Sequence, residues 1–509
     1  MGSAWSRASA LTDRQSTSGP GSGRSARGAR GAGQKASAQQ PSGQRPGARM
    51  DPARLAALDL LRAVELDGAY ANIAWPRILA HHRLSGRDAG FATELGYGSL
   101  RWRGRHDAIL AQCVDRELDS LQPELLNALR LGVHQLHNMR VSDHAAVGET
   151  VEVVRQTLNK GASGFANAVL RRVARGGSAE DWLSHLEAGG AVPGLAEDPV
   201  GHLSVVTSHP AWIVSGIHDA LCASMPERTW ADTRAELLAD NTAGSVTLVA
   251  RTMDRADLCD RLAEQGVTAR PGNLSRLAVR VDAVNPAAIP EVATGAAGVQ
   301  DEGSQVVALL LADAPLEGSD TRWLDMCAGP GGKAAILAGQ VAGRGGSLTA
   351  VELHQHRAEL VRASLRPVRG QHTTIVADAT VDDIGGEYDR ILVDAPCTGL
   401  GALRRRPESR WRRTPEDLSE LSALQRRLLA RALDVLRPGG LVLYVTCSPH
   451  LAETESVVAG VDRLGGEVIP VADLPELDLP PGSVCGPYLR LWPGAHDTDG
   501  MFAALITRR

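Results

Sequence analysis

Five apolar runs, "RWLDMCA", "SLTAVEL", "TTIVADA", "DRILVDAP" and "GGLVLYVTCS", follow one another between residues 322 and 448, with turn residues and helical stretches between them. Strands joined by crossovers of this length pair in parallel, and a parallel sheet is covered by helices on both faces. Ligands of such a sheet lie beyond the C-terminal ends of its strands. Those ends carry Cys327, Glu352, Asp378, Asp394 with Cys397 just after it, and Cys447. This part of the chain therefore reads as an α/β domain with a Rossmann-like sheet and one chemically loaded rim.

The first strand runs into "AGPGGK", which places Gly329, Gly331 and Gly332 between a strand and a helix. Glycines there let a ligand approach the backbone, and a helix N-terminus favours a negative group. Glu352 stands twenty residues after Gly332, at the next strand end, where a carboxylate can take both hydroxyls of a ribose. Asp378, at the third strand end, is placed for an adenine edge. Together they describe a nucleoside site. The loop matches neither GxGxxG nor GxxxxGK[ST], which disfavours nicotinamide and ATP. Lys333 stands out because the chain has only Lys35, Lys160 and Lys333 beside 51 arginines, so a compact ammonium is wanted there.

Residues 51–176 repeat apolar positions at helical spacing, beginning with Ala56, Leu60 and Leu61, and read as an all-helical domain. Residues 177–199, rich in Gly and acids, read as a linker with one short helix. Residues 200–300 combine a helical "HPAWIVSGIHDAL" with the strand-like "SVTLVAR" and "RLAVRVD", a small mixed α/β subdomain. The α/β domain occupies 301–509. Residues 1–50, poor in aliphatics, hold seven Arg and one Lys against a single Asp, and read as a disordered basic tail. The tail lacks the apolar core of a signal peptide, and Met50 is a second candidate start. Because the whole chain is at −5, the body behind this tail is acidic, and any binding of nucleic acid needs local positive charge. No apolar run is long enough for a membrane span. The seven cysteines are scattered without CxxC pairs, which points to a reducing cytoplasm and no metal site.

The motifs "DMCAGPGGK", "DAPCTGLG", "RRRPESRW", "LRPGGLVLYVTCS" and "HDTDGMFAALI" resemble those of the Sun/Fmu-type RNA cytosine carbon-5 methyltransferases. "LSGRDAGFATELGYGSLRWR", "LRLGVHQL" and "GFANAVLRR" resemble the NusB-type RNA-binding fold, which precedes the catalytic domain in the branch acting on small-subunit ribosomal RNA. The resemblance covers nearly all of 51–509. It implies S-adenosylmethionine as cofactor and a cytosine of 16S ribosomal RNA as target; that cytosine must be unstacked to be attacked, so a single-stranded or loop site is expected, and the chain is expected to be a monomer. It also implies that Cys327, Ala328, Gly329, Pro330, Gly331, Gly332 and Lys333 form the cofactor loop, with Glu352, Asp378 and Asp394 as further contacts. The family commonly has Asp where Glu352 stands, and Leu-Arg-Val-Asn where this chain reads "VTLVART".

Carbon-5 of cytosine is a poor nucleophile, so a thiolate must first add to carbon-6. A free cysteine is only a few per cent thiolate at neutral pH, hence the attacking thiol needs an activating environment. Asp394, three residues before Cys397, can hold ring nitrogen 3 and the exocyclic amine and act as general acid. Spacing leaves open whether Cys397 or Cys447 attacks. The resemblance assigns attack to Cys447 and product release to Cys397. "GALRRRPESRWRR" supplies local positive charge, with Arg404, Arg405 and Arg406 for phosphates and Trp411 for stacking a base. An RNA-binding antitermination or ribosome-assembly factor with an inactive methyltransferase domain is the alternative, and the intact cysteines, Asp394 and glycine loop speak against it. An exocyclic-amine methyltransferase would need Asn/Asp-Pro-Pro-aromatic in place of Asp394-Ala-Pro-Cys397.

Overall fold

In the computed structural model, which describes residues 51–282, 285–474 and 477–509, the chain up to Val206 is built of helices. The basic tail expected over 1–50 lies outside the described residues. Asp51 caps the first helix, Pro52–Glu65, accepting from the Ala53 amide at 2.9 Å, and proline at the first helical position needs no donor of its own. The face that Ala56, Leu60 and Leu61 announce in the sequence is buried. It meets Leu95 of Gly86–Arg101, Leu129 of Pro123–Asn138, Val154 of Asp143–Thr157 and Leu170 of Lys160–Arg175 in one core. The segment expected to be a linker, 177–199, joins that core. Its helix Ala179–Ala188 opens on a Ser178–Asp181 capping box, and Trp182, Leu186 and Val192 pack inward. Three apolar anchors among many Gly and acidic residues suffice for this.

After helices Ala211–Ser224 and Trp230–Ala239 comes a small sheet of β1 (Val246–Ala250), β2 (Ala269–Pro271), β3 (Ala278–Val281) and β4 (Ala297–Val299), in the order β2-β3-β1-β4. All its pairings are antiparallel. Leu248 and Val279 cover it against Leu258 and Leu262 of helix Arg255–Glu264.

The larger sheet holds β5 (Arg322–Asp325), β6 (Ser347–Glu352), β7 (Gln371–Val376), β8 (Tyr388–Asp394), β9 (Leu436–Thr446), β10 (Gly466–Ile469), β11 (Val484–Cys485), β12 (Tyr488–Leu491) and β13 (Met501–Arg508). Its order is β11-β12-β13-β9-β8-β5-β6-β7, with β10 on β13. The five strands from β5 to β9 are parallel as the sequence implies. The C-terminal strands add an antiparallel wing, which makes the sheet mixed. Strand order reverses at β5, whose neighbours are β6 and β8. The crevice beyond the ends of β5 and β8 is thus where a ligand of a doubly wound sheet sits. Among the described residues no helix is long and apolar enough to cross a membrane.

The stretch that leaves β8 is fastened to the helical part. Arg410, fully buried, donates to the carbonyl of Ser208 at 3.0 Å and to Asn241 Oδ1 at 2.8 Å. The Trp411 indole donates to the Leu100 carbonyl at 3.2 Å, Arg412 to that of Val64 at 2.7 Å, and Glu408 accepts from the Ala71 amide at 3.0 Å. Replacing Arg410 by Met leaves the Ser208 carbonyl and Asn241 Oδ1 without the donor that satisfies them. We expect Arg410→Met to cost about 3 kcal/mol of stability, read as a lower urea midpoint at unchanged slope.

Candidate active site

β8 and β9 pair in parallel with Asp394 opposite Val445. Cys397 lies three residues beyond the first and Cys447 two beyond the second, so the register alone delivers both thiols to one place. Their Sγ atoms are 3.4 Å apart. The Ala395 amide extends the ladder to the Val445 carbonyl at 2.9 Å, and the Gly401 amide returns to the Cys447 carbonyl at 2.8 Å. Gly401 packs backbone to backbone on Gly500, whose amide donates to its carbonyl at 2.7 Å, and a Cβ on Gly401 would stand 2.1 Å from the Gly500 oxygen. The "TGLG" and "TDG" motifs each supply one side of that contact.

Beneath the thiols, buried Glu453 accepts from the Thr398 amide at 2.8 Å, the Thr398 hydroxyl at 2.5 Å and Gln425 Nε2 at 3.0 Å. Gln425, from helix Pro415–Val435, also donates to the Pro396 carbonyl at 2.9 Å, and the Thr398 hydroxyl lies 3.2 Å from Ser448 Oγ. This network fixes the two cysteine loops to each other. Sequence reasoning missed Glu453 and Gln425, which carry no local motif, while Thr398 and Ser448 adjoin the cysteines and were readable.

Cys447 is held below the ordinary thiol range by the hydrogen bond that Cys397 donates, with Lys333 and Arg406 adding positive charge against the effects of burial and Asp394. Cys397, the donor, is pushed well above that range by the same bond and by burial. Lys333 Nζ lies 2.8 Å from Asp394 Oδ2 and 3.4 Å from Ser304 Oγ. Burial opposes its charge, but Asp394 keeps its pKa above the ordinary lysine value.

The glycine loop is drawn onto the end of β6. Glu352, buried, accepts from the Gly329 amide at 3.1 Å and the His354 amide at 3.0 Å, and Arg357 donates to the Gly329 carbonyl at 2.7 Å. A Cβ on Gly329 would stand 2.3 Å from Glu352 Oε2, and Gly331 has φ 108°, so both positions require glycine. Ala328 bonds the Val351 carbonyl at 2.9 Å, Pro330 accepts from Ser364 at 3.2 Å, and Gly332 and Lys333 open helix Gly332–Ala342. Burial pushes the Cys327 thiol far up, which leaves it inert. Asp378 turns on itself, accepting from the Thr380 amide at 2.9 Å and hydroxyl at 2.6 Å. Asp325 was missed: at the end of β5 it is fully buried, Oδ1 accepts from the Cys327 amide at 3.3 Å, and Oδ2 has no partner. Burial, with Asp394 nearby, raises it to about 7. An open carboxylate oxygen, an uncapped helix start and a glycine cradle on one rim fit a cofactor with a cationic amino-acid end and a nucleoside.

The arginine run departs from expectation. Arg404 is buried and bonds Asp497 at 2.8 Å, and Arg405 bonds Asp499 at 2.9 Å and Asp301 at 2.5 Å. With Trp411 inserted against the helical part, these three side chains hold the protein together instead of facing phosphates and bases. Arg406 alone of the four is exposed.

The family model described as "16S rRNA methyltransferase RsmB/F" matches residues 311–507, and that of the NusB family matches 51–175. A putative methyltransferase of Mycobacterium tuberculosis is 44% identical over 90% of this chain and 97% of its own. A probable ribosomal RNA small subunit methyltransferase B of Bacillus subtilis is 30% identical over 89% and 98%. The solved structure of PH0851 covers 91% of this chain and 100% of its own at TM-score 0.72 and 21% identity, a likeness of fold.

Because the Cys397 thiol acidifies Cys447, Cys397→Ala is expected to move the pH midpoint of Cys447 alkylation upward. A shift of about one unit corresponds to one lost hydrogen bond to the charged form, and pH-resolved iodoacetamide labelling with peptide mass analysis measures it.

Proposed function

The chain belongs to the RsmB/F family of 16S rRNA methyltransferases, and from that footing we propose that it methylates carbon-5 of a cytosine in 16S ribosomal RNA through a Cys447 adduct at carbon-6. It is an S-adenosylmethionine-dependent methyltransferase acting on rRNA. The observation that carries the finer reading is the thiol pair, 3.4 Å apart, beside the Lys333–Asp394 ion pair. An exocyclic-amine or ribose methyltransferase has no use for two thiols at its reacting rim.

In this reading the depressed Cys447 thiol adds to carbon-6 as thiolate, and the electron density it pushes into the ring reaches nitrogen 3 and carbon-5. A proton reaches nitrogen 3 through Asp394, and the Lys333 ammonium 2.8 Å away stabilises the carboxylate that remains. Bound at the glycine loop, S-adenosylmethionine supplies an electrophilic methyl group on sulfonium. Gly329, Gly331 and Gly332 give it backbone access, Glu352 takes the ribose hydroxyls, Asp378 the adenine edge, and Asp325 the ammonium. Loss of the carbon-5 proton to solvent re-forms the 5,6 double bond and expels Cys447, and the nitrogen-3 proton returns to Asp394. Cys397, kept as a thiol by its bond to Cys447 and by burial, has a proton ready for the departing thiolate. The Glu453–Thr398–Gln425 network holds the thiols at working distance without touching substrate. The target base must leave its stack to reach buried thiols, which favours a single-stranded or loop cytosine. Arg406, the exposed member of the arginine run, would then meet the RNA backbone.

Cys447→Ser is expected to lower methyl transfer at least about 10³-fold, since a hydroxyl is a far weaker nucleophile at neutral pH. Cys397→Ser is expected to accumulate a covalent protein–RNA species on denaturing gels. Adduct in the Cys447 variant with none in the Cys397 variant reverses the roles. If ribosomal RNA from cells lacking the gene keeps every 5-methylcytosine, the substrate reading falls.

A further inference from the structure

The middle subdomain sends one residue into the catalytic rim. Gln300 follows β4 and precedes helix Glu302–Asp313, and the residue is 8% exposed. Both its Oε1 and its Nε2 are buried without a hydrogen-bond partner. A buried side-chain amide left wholly unpaired costs free energy that native structures seldom leave uncompensated. Its backbone is fixed on both sides: its amide donates to the Thr247 carbonyl of β1 at 3.0 Å, and its carbonyl accepts from Gln305 Nε2 at 3.1 Å.

The amide sits on the first residue of the cofactor helix. A Cβ built on Gly332 would lie 3.2 Å from Gln300 Oε1 and 3.6 Å from Nε2. The helix itself, Gly332–Ala342, has glycine at its cap position and no side-chain cap. Its first amides therefore point outward unsatisfied and carry the positive end of the helix dipole. An uncapped N-terminus and an unpaired amide side chain meet at one point.

We propose that Gln300 is a cofactor-binding residue, holding with the Gly332 helix N-terminus the α-carboxylate at the amino-acid end of S-adenosylmethionine. Nε2 donates to the carboxylate, and the helix amides stabilise its charge. The small antiparallel sheet thereby acquires a function: it is the scaffold that aims Gln300. The inference rests on the cofactor assignment and is independent of the cytosine chemistry.

The test compares two ligands by titration calorimetry on the full chain: S-adenosylhomocysteine, which has the amino-acid end, and 5′-methylthioadenosine, which lacks it. Gln300→Leu keeps the volume and removes both polar atoms. Expected is a loss of about tenfold or more in affinity for S-adenosylhomocysteine, with 5′-methylthioadenosine bound as by the unaltered protein. Equal weakening of both ligands, or no weakening of S-adenosylhomocysteine, overturns the proposal. Gln300→Asn, which keeps the amide but shortens its reach, answers the same question where Gln300→Leu does not fold, with the same pattern expected. Failure of the unaltered protein to bind S-adenosylhomocysteine would sink the cofactor assignment instead.

Discussion

The parallel pairing of β8 with β9 in a single register is the constraint on which the site depends. Side chains alternate along a strand, so a slip of one residue would turn every inward group outward. With Asp394 opposite Val445, the loops that follow arrive level, and two thiols meet above a buried carboxylate. The topology supplies the rest. β8 adjoins β5, where strand order reverses, so the thiol pair and the glycine loop share one crevice. A methyl acceptor and a methyl donor have to meet across a short gap, and neighbouring strand ends are the simplest way to arrange it.

Charge is used in two styles. Around the rim a single ammonium, Lys333, serves as a point charge in contact with Asp394. Elsewhere guanidinium groups act as bolts, because a planar fork of donors can satisfy several carbonyls at once. Arg390, buried, bonds the carbonyls of Leu311 and Ala314 at 2.7 Å and the Asp320 carboxylate. Arg404, Arg405 and Arg410 do the same between the parts of the molecule. An arginine-rich composition thus serves internal architecture in a chain whose body is acidic.

This division explains what was legible in the sequence. The five strands and their polar ends could be read, because strand period and turn chemistry are local. The motifs around Cys397, Cys447 and the glycine loop marked residues that the fold brings together on one rim. Arg404 and Arg405 turn inward where the sequence suggests an RNA surface, since nothing near them in sequence reveals their acidic partners: Asp497, Asp499 and Asp301 lie 93, 94 and 104 residues away from the arginines they bind. Glu453, Gln425 and Gln300 were hidden for a related reason. A buried polar side chain has no periodicity, and only the folded neighbours show what it holds. The apparent linker failed on composition, where a few apolar anchors outweighed the glycines.

Segments between a strand and the next helix are ordinarily where a protein tolerates insertion and drift. The segment from Cys397 to Thr414 reverses that habit. One end carries the Cys397 thiol, Gly401 close behind it is pressed against Gly500, and the far end is clasped by carbonyls of the helical part. Its length is thus set at three places, and lengthening it by one residue would misplace the thiol or unfasten a neighbour. In this molecule the connection resists editing, and the boundary between two sequence families is no seam along which it could be cut.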